Sequence, residues 1–162
     1  MENIASQIVH WIKTYAENAR VKGLVIGISG GVDSAVVSTL CARTGLPTLC
    51  LEMPIHQAES HVSRAEEHIA FLKAHYPNVS NLRTDLTPVF DQFIARIPPT
   101  DKSTYEMALA NTRARLRMTT LYYFAGLEGY IVVGTGNKIE DFGVGFFTKY
   151  GDGGVDISPI AD

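Results

Sequence analysis

Residues 24 to 43 constrain this chain more than any other stretch. The run Leu24 to Ile28 is short, continuous and rich in β-branched residues, the composition of a strand buried on both faces in a parallel sheet. It passes without a linker into Gly27-Ile28-Ser29-Gly30-Gly31-Val32-Asp33-Ser34, and from Asp33 the pattern is helical to Arg43, with Gly45 and Pro47 as breakers. A second apolar run, Thr48 to Met53, then completes a β-loop-α-β unit.

The rest of the pattern repeats this alternation. Ile4, Ile8, Trp11, Ile12 and Tyr15 predict an opening amphipathic helix over 4–20, and Val62, Ala65, Ile69 and Leu72 predict another over 59–75. A weak third strand is expected at 82–86 and a short helix at 89–97. A long helix starts at Ser103 after the Pro98-Pro99 break, and a fourth strand spans 130–133. The glycine-rich stretch 143–154 is too polar and irregular for core and reads as a functional loop. The expected fold is α/β: a Rossmann-like doubly wound parallel sheet with helices on both faces, in one domain, carrying ligands at the strands' carboxyl ends.

The 46% hydrophobic content supports a real core, and no apolar run approaches the length of a membrane span. The formal charge of -3 supplies no general attraction to polyanions, so neither a nucleic-acid nor a membrane partner is expected. The amino-terminal residues lack the basic start and apolar middle of a secretory signal, which places the chain in the cytoplasm. Cys41 and Cys50 fit no close metal-ligand spacing and read as buried thiols.

Three clusters carry chemistry. In the first, Gly30 and Gly31 clear side chains so that backbone N–H groups can converge on an anion, and the following helix adds its dipole. Ser29 and Ser34 supply hydroxyls. Asp33 would repel phosphates unless a divalent cation bridged them, which implies Mg2+. The loop has neither the lysine of a Walker A motif nor the third glycine of a dinucleotide fingerprint. The second cluster, 134–141, follows the fourth strand: Glu140 is placed to complete the metal site and Thr135 to donate to a nucleotide. The third, 146–156, spaces aromatic, basic and acidic groups with glycines, so that Lys149 can meet a phosphate or carboxylate and Asp156 can accept from ribose or amide donors.

The string Ser-Gly-Gly-Val-Asp-Ser at 29–34 is similar to the pyrophosphatase loop of the N-type ATP pyrophosphatases. The whole pattern resembles the ammonia-dependent bacterial NAD synthetases, in which that loop, a helix motif matching 111–118, Gly-Thr-x-x-x-x-Glu and Phe-Phe-Thr-Lys-x-Gly-Asp-Gly-Gly occur in this order. The resemblance implies ATP contacts from Gly27, Ile28, Ser29, Gly30, Gly31, Val32, Asp33, Ser34 and Thr135. It implies Mg2+ on Asp33 and Glu140, and deamido-NAD contacts from Arg115, Lys149 and Asp156. It further implies a homodimer that uses ATP as co-substrate, adenylates the nicotinate carboxylate and aminates it with ammonia, with no acid–base residue required. The family's pattern continues beyond Asp162, and this chain runs one residue longer than many relatives between Glu140 and Gly145, which leaves the partners of Lys138 and Asp141 open. Two alternatives stand beside this reading: another ATP pyrophosphatase, GMP-synthesising or tRNA-modifying, and a nucleotide-binding module without turnover.

Some patterns are not read as sites. His61, His68 and His75 recur every seven residues, about 10 Å apart along a helix, too far for one ion, and are expected on a solvated face. Arg113, Arg115 and Arg117 cannot all face one way, and Arg115 is taken as the substrate residue. Met107 and Met118 are expected in the core.

Overall fold

A computed structural model describes residues 2–161. Its elements run α1 (Glu2–Asn18), β1 (Gly23–Gly27), α2 (Val32–Arg43), β2 (Thr48–Glu52), α3 (Glu59–His75), β3 (Val79–Arg83), α4 (Thr87–Ile94), α5 (Tyr105–Glu128), β4 (Tyr130–Val133) and a π-helical segment, Ile139–Val144. The strands form one sheet in the order β3-β2-β1-β4, and every pairing is parallel.

Strand alternation sorts the core into two layers. Leu24 and Ile26 of β1, Ile28 just beyond it, Cys50, Ile131 and Val133 point to a layer closed by α1, α2 and α3. Val25, Leu49, Leu51 and Val132 point to the opposite layer, closed by Phe90 of α4 and by Met118, Leu121 and Ala125 of α5. Each fully buried aliphatic side chain contributes roughly 1.5–3 kcal/mol, so a one-residue slip of β1 would reverse both layers. Cys41 and Cys50 are buried and free; burial raises both thiols, that of Cys50 to about 12, so neither is a ready nucleophile.

Four local expectations change. The third strand lies at Val79–Arg83, not 82–86. It is an edge strand in which Val79 is buried while Leu82 is 45% exposed, and Leu86 belongs to the other layer. The next helix starts at Thr87, where Asp85 accepts the Thr87 N–H at 2.9 Å and Pro88 sits in the first turn. His68 is half-buried and bonded to buried Ser38 at 2.8 Å, and burial lowers its pKa, so it does not share the solvated face expected for it. Met107 is 59% exposed because it lies in the first turn of α5, before that helix reaches the sheet, whereas Met118 is buried.

Candidate functional site

The order β3-β2-β1-β4 reverses direction between β1 and β4, the place where parallel α/β sheets hold ligands beyond their strand ends. A cavity of about 270 Å3 opens there. Its floor is Gly27, Ile28 and Ser29 from the end of β1 together with Val133, Gly134 and Thr135 from the end of β4. Ala114, Arg117, Met118 and Leu121 of α5 form one wall, and Met53, Gln57, Asp152 and Val155 complete it. Gly134 is required by packing: a Cβ there would lie 2.6 Å from Val155 Cγ2.

The glycine bend is held from within. Ser34 is buried and donates its hydroxyl to the Gly31 carbonyl at 2.9 Å, while its oxygen accepts from the Ser29 N–H at 3.3 Å. The Gly31 N–H is directed to Ser29 Oγ at 3.2 Å. The Ser34 hydroxyl therefore shapes the turn in this conformation, leaving Ser29, Gly30 and Gly31 as its outer surface. Gly30 has φ +79, and a Cβ on it would meet the His61 carbonyl oxygen, so the first turn of α3 packs directly on the bend. Val32 is 74% exposed on the first turn of α2, beside half-buried Asp33.

One amide joins the first two clusters. Asn137 Nδ2 donates to Asp33 Oδ2 at 3.3 Å, and Asn137 Oδ1 accepts the N–H groups of Ile139 and Glu140, each at 3.0 Å. Asp33 and the segment carrying Glu140 are thus at the same edge of the sheet. The Glu140 carboxylate makes no hydrogen bond or ion pair among the described residues. No group of three or more His, Cys, Asp or Glu that could hold a metal is present among the described residues. That donor set fits a cation shared between two acids and a ligand's own oxygens better than a protein-only cage. Asp141 belongs to the same π-helical segment, and burial first and Asp152 second raise its pKa.

The third cluster is clasped onto α5. Thr148 Oγ1 donates to Asn111 Oδ1 at 2.9 Å, the Thr148 N–H donates to Asp152 Oδ1 at 2.7 Å, and Arg115 Nε donates to the Lys149 carbonyl at 3.0 Å. Asp156 Oδ2 accepts the Val132 N–H at 2.7 Å and its Oδ1 accepts from the Tyr122 hydroxyl at 3.0 Å, so both carboxylate oxygens are engaged. Burial, followed by that acid, raises the Tyr122 phenol to about 12. Lys149 Nζ sits 5.0 Å from the centre of the Tyr150 ring. Arg115, Lys149 and Asp156 are all exposed and none of them lines the cavity.

Arg117 does line it. Its Nε donates to the Met53 carbonyl at 3.0 Å and its Nη2 to Gln57 Oε1 at 3.4 Å, and burial lowers its pKa, aided by Arg113. Gln57 in turn donates to the Ser29 carbonyl at 3.3 Å. Arg113 instead covers the Phe90 ring at 5.3 Å. Sequence reasoning missed Arg117, Gln57 and Tyr122. For Arg117 a signal existed: Ala114, Arg117, Met118 and Leu121 follow the i, i+3, i+4, i+7 spacing of one helix face.

A glycine bend and a part-apolar cavity at a reversal of strand order define the class of parallel α/β proteins that seat a small ligand at the sheet's switch point. The NAD synthase family model matches residues 4–162, and the chain belongs to that family. It is 39% identical over 158 residues to an NH(3)-dependent NAD(+) synthetase from Finegoldia magna, covering 97% of this chain and 62% of that protein. It is 36% identical to the one from Carboxydothermus hydrogenoformans, covering 99% and 65%. The chain therefore spans less than two thirds of the length of these relatives. Among solved structures, NMN synthetase from Francisella tularensis superposes with a TM-score of 0.87 at 34% identity, covering 99% of this chain and 64% of that one. The NH3-dependent NAD synthetase from Campylobacter jejuni, solved with a nitrate ion, has the same TM-score at 31% identity, covering 99% and 67%.

Proposed function

We propose that this chain supplies the ATP site and part of the acceptor site of an ammonia-dependent NAD synthetase. The observation that carries the reading is the cavity at the β1–β4 reversal, whose floor ends at Ser29 where the glycine bend begins, with the Asp33 end of that bend tied through Asn137 to the segment bearing Glu140. In this reading the nucleoside occupies the cavity. Met53, Met118, Leu121 and Val155 offer apolar surface to a flat ring, while Thr135, Gln57 and Arg117 offer polar contacts at its edge. The triphosphate leaves across Ser29 to Ser34, where backbone N–H groups and the start of α2 favour negative charge.

Asp33 and Glu140 would hold Mg2+ together with phosphate oxygens. When bound, the ion supplies neutralisation of the charge that builds on the departing pyrophosphate. Arg115 of α5, together with Lys149 and Asp156 on the loop beside that helix, would receive deamido-NAD. Asp156 must then exchange its bond from Tyr122 or contribute through the loop it fixes. The nicotinate carboxylate attacks the α-phosphorus, pyrophosphate leaves, and ammonia displaces AMP from the mixed anhydride. The chain's own part is alignment and charge stabilisation. The same reading makes the protein a cytoplasmic homodimer.

The test is incubation with ATP, Mg2+, ammonium and deamido-NAD. NAD and AMP in equal amounts are expected, and Asp33→Asn should raise the Mg2+ requirement about tenfold or more. An unchanged Mg2+ dependence removes Asp33 from the cation site. The Francisella neighbour, named for making NMN, favours one second reading, amidation of the corresponding mononucleotide. AMP release with the mononucleotide and none with deamido-NAD would establish that alternative.

A further inference from the structure

We infer that Asp91 is a positioning residue for the nucleotide cavity, setting the loop between β2 and α3 through His56 so that the Gln57 amide bridges the glycine bend and Arg117. The inference rests on the ATP reading for its functional consequence and on geometry for its structural part.

His56 is a non-glycine residue with φ +48, a left-handed conformation that persists only where the surroundings hold it. Three residues of α4 do so. Its ring Nε2 lies 2.6 Å from Asp91 Oδ1; a carboxylate only accepts, so Nε2 carries the proton. Its backbone N–H donates to Thr87 Oγ1 at 3.2 Å, and its ring meets that of Phe90 edge-on, with centroids 6.2 Å apart. Thr87, Phe90 and Asp91 fall on one face of α4 at i, i+3 and i+4.

The next residue is Gln57, whose amide joins two walls of the cavity through bonds of 3.3 Å to the Ser29 carbonyl and 3.4 Å from Arg117. Bonds of that length lie near the limit of useful geometry, so they depend on where the loop places the side chain. Neither His56 nor Asp91 lines the cavity, so both act through Gln57. Their side chains are 56% and 52% exposed, and a pair so open to water contributes little to global stability.

The test compares the full chain with Asp91→Ala and Asp91→Asn. Amide hydrogen exchange across 53–58 in the free protein should speed up in Asp91→Ala and return toward the parent rate in Asp91→Asn, whose Oδ1 still accepts from Nε2. The KM for ATP should rise about fivefold in Asp91→Ala, with kcat, the KM for deamido-NAD and the melting temperature essentially unchanged. Unaltered exchange across 53–58 overturns the proposal. So does an equal rise in both KM values with a falling melting temperature, which marks a merely structural role. If the parent protein binds no ATP at all, the functional reading fails by itself, and the exchange contrast still decides whether Asp91 sets the loop.

Discussion

Replacing Gly30 with alanine, read against the same change at Gly45, isolates the contact on which the glycine bend depends. Both glycines are left-handed, with φ +79 and +77. Each alanine therefore incurs a similar backbone penalty of roughly 1–2 kcal/mol, partly offset by the lower entropy of its unfolded chain. The surroundings differ. A Cβ at Gly45, beyond the end of α2, meets nothing within 4 Å, whereas at Gly30 it meets backbone, the His61 carbonyl. Relief requires the bend or the first turn of α3 to shift by about 1 Å, and overpacking of that kind costs typically 1–3 kcal/mol. For a chain of this size the difference corresponds to roughly 3–10 °C in melting temperature. Thermal unfolding of the two variants, with ATP titration by calorimetry, should show Gly30→Ala melting lower by that margin and losing nucleotide affinity. Gly45→Ala should keep its affinity. Equal melting temperatures and equal ATP affinities would refute both the packing and the ligand argument.

Two further outcomes follow from the site. Arg117→Lys keeps the charge but loses the fork that reaches Met53 and Gln57, so ATP affinity measured by equilibrium binding should fall about tenfold. Arg115→Lys should affect the acceptor's KM more than ATP's; the opposite ranking would move the nucleotide out of the cavity. Glu52, the last residue of β2, is buried with Oε1 unpartnered among the described residues, and burial raises its pKa against the opposing pull of Arg83. A raised carboxyl favours folding while protonated and loses that contribution as pH rises through the folded value. Glu52→Gln should therefore melt higher than the parent at neutral pH, with the gap closing as pH falls below the ordinary glutamate range. A gap independent of pH would show that ionisation of Glu52 has no part in it.

Much of this architecture was written locally. The β1 strand, its glycine bend and α2 follow from contiguous residues, because backbone conformation and burial on both faces are demands that each stretch meets alone. Helix α3 spans the predicted 59–75 because its apolar spacing is regular. The meeting of Asp33 with the segment bearing Glu140 was legible only as two motifs at the same sheet edge. The amide that joins them, Asn137, lies 104 residues from Asp33 along the chain, and no periodicity announces such a partner.

Helix spacing grouped Arg117 with Ala114, Met118 and Leu121, but only the tertiary structure decided that this face, and so this arginine, lines the cavity. Arg113, Arg115 and Arg117 are the same residue type two positions apart, yet one covers an aromatic ring, one holds a loop carbonyl and one is half-buried and bonded to the carbonyl of Met53, just beyond β2. The same holds for Asp156, whose place in the glycine-spaced third cluster suggested a ligand contact and whose carboxylate is taken up by Val132 and Tyr122. Residue type and spacing determine which conformations and charges are available. What each polar group does is determined by the partner that arrives through space, and that partner exists only once the sheet has brought distant segments together.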